Sequence, residues 1–177
     1  PGRTAVFDVY AVHEDSNKLV DFVHGITAQE VAVVVCLDSC DRFISTAAKD
    51  ALATLGATKV QDIAFRESYV LIGAKGSLPI TPTREELHAT GGGAVLLTYA
   101  YVPPPTRAVV IEAVSAGMDD GNRASVSVDG VSVQLPHRHR GLHFVILDST
   151  GRPGRTAVFD VYAVHEDSNK LVDFVHG

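Results

Sequence analysis

Apolar and polar positions change rhythm several times along the chain, and each change marks an element. Residues 4–10 alternate around Val6, Phe7 and Val9, as a half-buried strand does. His13, Glu14, Asp15 and Ser16 then supply helix-start chemistry ahead of Leu19, Val20, Phe22 and Val23, and Gly25 ends the run. Residues 31–37 are almost wholly β-branched and apolar, which predicts a central strand buried on both faces. Between 43 and 55 the apolar positions Ile44, Ala48, Ala51, Leu52 and Leu55 follow helical spacing, with Gly56 placed as a C-cap. Residues 69–72 read as a short strand broken at Gly73, and the segment from there to Gly93, with Pro79, Pro82 and its glycines, reads as a long surface loop.

Residues 94–102 predict a further strand, which Pro103, Pro104 and Pro105 stop, because proline donates nothing to a ladder and three together favour a stiff extended chain. Beyond them, residues 108–114 read as a strand. Residues 125–128 and 131–133 alternate around Asp129-Gly130, a two-residue hairpin turn. Residues 142–147 form another buried strand, and Ser149-Thr150-Gly151 turns it toward residues 156–162, with which it should pair antiparallel.

One feature overrides the local rhythm. Residues 1–25 recur without a change as residues 153–177, so the chain carries one strand–turn–helix segment twice at an offset of 152 residues. Such identity points to a recent tandem duplication or to one segment placed deliberately at both ends, as in a circular permutant. Either way, a chain whose tail repeats its head can complete a neighbour's fold as readily as its own, which makes head-to-tail assembly an expectation. One copy is expected to complete the fold made by residues 26–106 and the other to pack with residues 107–152.

A length of 177 residues and an apolar fraction of 46% suffice for a packed core. The net charge of −6 is spread along the chain, which argues against a nucleic-acid partner held by neutralised phosphates. No apolar run approaches the ~20 residues of a membrane span. Cys36 and Cys40 sit four residues apart across the end of an apolar run, as a small disulfide loop or as one buried and one surface thiol.

Catalytic chemistry has no candidate constellation. Ser39, Ser45 and Ser68 lack a nucleophile-elbow context, and the glycines at 73, 76 and 91–93 make no phosphate loop. His137-Arg138-His139-Arg140 lacks a third ligand nearby and reads as a solvated basic loop, so neither metal nor cofactor is expected. Thr81, Pro82, Thr83, Pro103, Pro104, Pro105 and Thr106 are candidate positions for O-linked or hydroxyproline-linked glycans, with an unmodified linker as the alternative.

A set of short motifs carries a family resemblance. In order they are Val128-Asp129-Gly130, then residues 140–147 (RGLHFVIL), then Phe159-Asp160-Val161-Tyr162, and then Phe65-Arg66-Glu67-Ser68-Tyr69 with Gly73-Ala74-Lys75-Gly76. Read from 109 to 177 and onward from 26 to 105, this order resembles the GG domain. That module belongs to the interleukin-like EMT inducer and pancreatic-derived factor family, and is also found in the stem of protein O-mannose N-acetylglucosaminyltransferase and in cell-surface hyaluronan-degrading proteins. The resemblance implies an α/β (α+β) fold of β-rich, sandwich-like sheets flanked by about two helices. It makes residues 1–106 the later part of one GG-like repeat and residues 107–177 the earlier part of the next.

It also implies a shallow sugar site at Asp38, Arg66 and Arg140, with Tyr69 presenting a ring face to a pyranose. The chain departs from the family pattern at Tyr69, where tryptophan is usual, and at Glu67, where aspartate is usual. An Arg66–Asp38 ion pair that merely holds a loop is the alternative reading. The function expected first is a non-enzymatic, extracellular or cell-surface structural protein of tandem GG-like domains that assembles with its own neighbouring copies into a fibre or array. A carbohydrate-binding module and a secreted cytokine-like factor are the alternatives.

Overall fold

The computed structural model describes residues 3–7, 9, 15–28, 30–76, 83–101, 108–135, 141–148, 150–153, 155 and 156. In chain order these form β1 (Arg3–Phe7), α1 (Asp15–His24), β2 (Val31–Leu37), α2 (Thr46–Ala53), a short 3-10 turn (Lys59–Asp62) and β3 (Ser68–Ala74). Then come β4 (Arg84–His88), β5 (Val95–Tyr101), β6 (Val109–Ala116), a second 3-10 turn (Met118–Asp120), β7 (Arg123–Val128), β8 (Val131–Val133), β9 (Gly141–Leu147) and β10 (Arg155–Thr156). A six-stranded sheet runs β10-β1-β9-β2-β3-β4, and a four-stranded sheet runs β5-β6-β7-β8. The fold is therefore mixed α+β and dominated by its sheets, as the residue pattern implies.

Three layers follow from the composition of β2. Every residue of this strand is buried, and successive side chains alternate between the faces of a pleated sheet. Ala32, Val34 and Cys36 join a core with α1 and α2, through Leu19, Phe22, Val23, Ala48 and Leu52. Val31, Val33 and Val35 join a second core with Val95, Ile111, Ala113 and Val126 of the smaller sheet. The six-stranded sheet is thus the middle layer, with helices on one side and the second sheet on the other.

The helices are tied to each other at their starts. Ser45 caps α2 by accepting from the Ala48 amide at 3.1 Å, as a serine at this position does. The Ser16 hydroxyl accepts from the Ser45 amide at 2.7 Å and donates to its hydroxyl at 2.9 Å. Gly56 follows α2 at φ +94°, a conformation that favours glycine, where a side chain would run into Thr83. The Asp129-Gly130 turn takes φ +52° and +74°, and Val128 lies opposite Val131, the two-residue hairpin expected from the sequence.

Four expectations are corrected. The long loop from Gly73 to Gly93 contains β4, which pairs antiparallel with β3 from Ser68↔His88 to Ile72↔Arg84. Its single apolar residue, Leu87, gives no strand rhythm, and the ladder with β3 supplies what local pattern lacks. Gly73 does not break β3 but continues it, because the Leu55 carbonyl lies where a Cβ would stand. The prolines do not divide the described fold into two bodies: β5 and β6, on either side of them, pair over Val95↔Ser115 to Tyr101↔Val109.

The fourth correction concerns the duplicated segment. The antiparallel place beside β9, expected for residues 156–162, is taken by the first copy, with Thr4↔Val145 through Phe7↔Leu142. β9 pairs with β2 on its other side, so residues 26–106 and 107–152 are served by the same copy. The second copy enters at the sheet edge as β10, parallel to β1, with Arg3↔Arg155 and Thr4↔Thr156. Among the described residues, Arg3-Thr4 and Arg155-Thr156 are therefore not in equivalent environments.

Gly73→Ala is expected to destabilise the fold by about 1–3 kcal/mol, since the new methyl must displace the backbone of Leu55. Urea unfolding followed by circular dichroism measures it; an unchanged midpoint would contradict this packing.

Candidate functional site

The loops that leave one end of the two sheets converge. Cys36, in β2, and Cys40 are joined by a disulfide, S–S 2.04 Å, which pins the chain where it leaves the strand. Asp38 inside this loop has φ +66° and bridges to Gly117. The segment before β3 comes alongside: the Arg66 amide donates to Ser39 Oγ at 2.9 Å, and Arg66 itself lies at φ +59°. Two non-glycine residues in the left-handed region, one inside the disulfide loop and one bonded to it, are held there by surrounding contacts.

The smaller sheet locks onto these loops through hydroxyls. Ser115 Oγ, buried, donates to the Cys36 carbonyl at 2.5 Å and accepts from the Tyr69 amide at 3.2 Å. Ser68 Oγ accepts from the Gly117 amide at 2.8 Å. Gly117 lies against the Arg66 carbonyl so closely that a Cβ would overlap it. The 3-10 turn after Gly117, which begins with Met118, then brings Asp119 to Arg66. Arg66 Nη1 donates to both Asp119 carboxylate oxygens at 3.3 Å, and its guanidinium lies over the Phe65 ring at 4.8 Å. Asp120 accepts from the Gly91 and Gly93 amides at 3.3 and 3.0 Å, which draws the β4–β5 turn into the same rim.

The result is a solvent-facing cluster in which Phe65 and Met118 are 48% and 46% exposed around the Arg66–Asp119 pair. A paired guanidinium stacked on an accessible aromatic ring suits recognition of a partner surface, with directed hydrogen bonds at its centre. Arginine and aromatic residues of this kind anchor binding surfaces more often than scattered polar ones.

Of the residues expected at a sugar site, Asp38 and Arg66 are brought together, but not as an ion pair: the carboxylate that meets Arg66 is Asp119. Tyr69 is corrected. It is fully buried in β3, inside the helix-side core, and has no ring face to offer a pyranose. The alternating run from 69 to 72 carries every side chain inward because both faces of the sheet are covered. Arg140, Thr81, Pro82, Pro103, Pro104, Pro105 and Thr106 lie outside the described residues, and Thr83 sits against Gly56. Asp119 was not singled out by sequence because only the fold, through Gly117, brings it to Arg66.

The Tyr69 hydroxyl instead donates to Glu85 Oε1 at 2.8 Å. Glu85 also accepts from the amides of Thr58, Lys59 and Val60 at 2.7, 2.9 and 3.2 Å and from the Thr58 hydroxyl at 2.8 Å, capping the first 3-10 turn. Partial burial pushes the Glu85 carboxyl up, but the donors from Lys59, Thr58 and Tyr69 outweigh it and hold the carboxyl below its usual range. Burial, then the negative charge of Glu85 and their shared hydrogen bond, push the Tyr69 hydroxyl well above its ordinary value.

The sequence profile of the interleukin-like EMT inducer family matches residues 3–77, from β1 past the end of β3. Over this segment the chain is similar to that family. Human Protein FAM3B is 29% identical over 86 residues, which cover 48% of this chain and 36% of that protein. The chain thus spans about a third of the curated relative it matches. The matched residues include the disulfide loop, Phe65 and Arg66, whereas Met118 and Asp119 fall beyond the profile's span. No helix among the described residues is long and apolar enough to cross a membrane.

Glu85→Gln is expected to lose about 1–2 kcal/mol, because a neutral amide accepts less strongly from the five donors and leaves one half of the cap unmatched. Since the folded carboxyl is held low, its contribution is complete above the ordinary carboxylate range and disappears as pH falls through the lowered folded value. Acid unfolding of the variant, measured against the parent, should therefore lose part of its slope below that range.

Proposed function

We propose that this chain is a non-catalytic, secreted factor of the cytokine-like kind, acting through the rim of Phe65, Arg66, Met118 and Asp119. The observation that carries this reading is the interleukin-like EMT inducer profile over residues 3–77, whose span includes the loop before β3 with Phe65 and Arg66 on that rim. The extracellular setting is supported by the Cys36–Cys40 disulfide, since such bonds persist where thiols are not kept reduced. A rigid three-layer body that displays a small mixed apolar and charged rim suits binding another protein better than turning over a substrate.

A carbohydrate-binding role is a second reading, favoured by one observation. Arg66 is restrained by Asp119 and stacked on Phe65, the arrangement that hydroxyl recognition uses. The loss of Tyr69 to the core removes the ring platform expected for it, and Phe65 is the aromatic left to take that part. Head-to-tail assembly into a fibre draws less support, because the first copy of the repeated segment fills the place beside β9 within its own chain.

Phe65→Ala and Arg66→Ala are expected to weaken binding of the labelled protein to responsive cells by roughly tenfold or more each, with the melting temperature nearly unchanged. Val131→Ala, at an exposed position in the β7–β8 hairpin, should leave binding intact. Equal binding by all three variants would remove the rim from the function. Binding of the parent to a glycan array, lost in Arg66→Ala, would favour the second reading.

A further inference from the structure

The fold has one place for the repeated segment and two segments that match it. β1 lies between β9 and β10, its Ala5 and Phe7 buried, and α1 closes over it with Leu19, Phe22 and Val23. Phe7, Phe22 and Phe144 form an edge-to-face triad with ring centroids 5.2 to 5.5 Å apart. Each of these contacts from the first copy has a chemically identical counterpart 152 residues later: Ala157, Phe159, Leu171, Phe174 and Val175. Sequence gives no preference between the occupants; only connection to the rest of the chain does.

Connection favours approach of the second copy. After β9 the chain turns back at once: Asp148 Oδ1 accepts from the Thr150 amide, the Thr150 hydroxyl and the Arg152 amide at 2.8, 2.7 and 3.1 Å. Gly151 takes φ +76°, and Leu147 and Pro153 form an antiparallel bridge. This is the first rung of a hairpin along β9. The second copy is then turned aside to the outer edge of β1, where it holds two ladder positions and pairs Arg3 with Arg155.

The two registers differ by one residue. The hairpin bridge sets Pro153 opposite Leu147, whereas the register used by the first copy would put that proline opposite Asp148. A one-residue slip exchanges the two faces of a strand, so the second copy needs one bulge to present the correct face. Gly154, next in the chain, is the residue type that accommodates one.

We propose that residues 1–25 and 153–177 are alternative occupants of the single place beside β9, and that the chain exchanges between them without a second molecule. In one frame the strand and helix come from the first copy; in the other the hairpin from β9 continues into the second copy, and the first is released. The core is the same in both, so exchange leaves the rim at Phe65 and Arg66 unaltered and changes only which copy holds the place beside β9.

Thermal unfolding of the full chain tests this with Phe7→Ala, Phe159→Ala and the double variant. The double variant should lose roughly 10 °C, as truncation of a fully buried phenylalanine does. Each single variant should lose only about 2–3 °C, because the intact copy takes the place. A Phe7→Ala loss equal to that of the double variant, with Phe159→Ala silent, would overturn the proposal. The milder pair Val23→Ala and Val175→Ala serves if the first set fails to fold, and should show the same non-additivity. The rescue should persist on tenfold dilution; its loss on dilution would assign exchange to separate molecules and overturn the intramolecular form.

Discussion

Complete burial of β2 on both faces is the constraint from which the other layers follow. A strand of seven residues with no exposed face must be hydrogen-bonded on both edges and covered above and below. β9 and β3 supply the edges. The helices and the smaller sheet supply the covers, each meeting alternate side chains of the same strand. Ser115, which faces β2 from the second sheet, completes the arrangement by taking the Cys36 carbonyl as its acceptor. The end of β2 is thereby fixed to both the disulfide and the neighbouring sheet, and the rim is built on that fixed point.

Rigidity at that end explains how backbone conformations unfavourable for Asp38 and Arg66 persist. Each is uncommon outside glycine, at a scale of about 1–3 kcal/mol. Ser39 holds the Arg66 amide, Ser68 holds the Gly117 amide, and the missing side chain of Gly117 lets its backbone approach the Arg66 carbonyl. The consequence is directional: Arg66 leaves the loop toward Asp119 and over Phe65 instead of lying along β3. A flexible arginine placed here by an ordinary loop would lose conformational freedom on binding; this one is already ordered.

Elements whose cause is local were legible in the residues. The β-branched run of β2, the capped spacing of α2 and the Asp129-Gly130 turn each carry their own signal. β4 was not legible, because Arg84-Glu85-Glu86-Leu87-His88 owes its strand form to the ladder with β3 and to the amides that Glu85 caps. Tyr69 misled for a related reason: an aromatic beside a positive charge in sequence suggests a sugar platform, but Arg66 lies in the loop before β3 while Tyr69 lies within that strand, which is buried on both faces. The Arg66–Asp119 pair spans 53 residues and exists only because the two sheets meet at Gly117.

The repeated segment was the clearest signal in the sequence and the one whose structural meaning changed most. Identity between two segments establishes that they want the same surroundings, not that both obtain them. β9 has two edges, and β2 holds one of them by seven paired positions from Val31↔Leu147 to Leu37↔Gly141. A single edge is left for two equal claimants. Whichever copy sits there, the other must find a poorer seat, and the two-residue parallel pairing of β10 with β1 is such a seat. Duplication of an interior element therefore does not strengthen this fold: the core offers one place beside β9, and the sequence carries the segment that fits it twice.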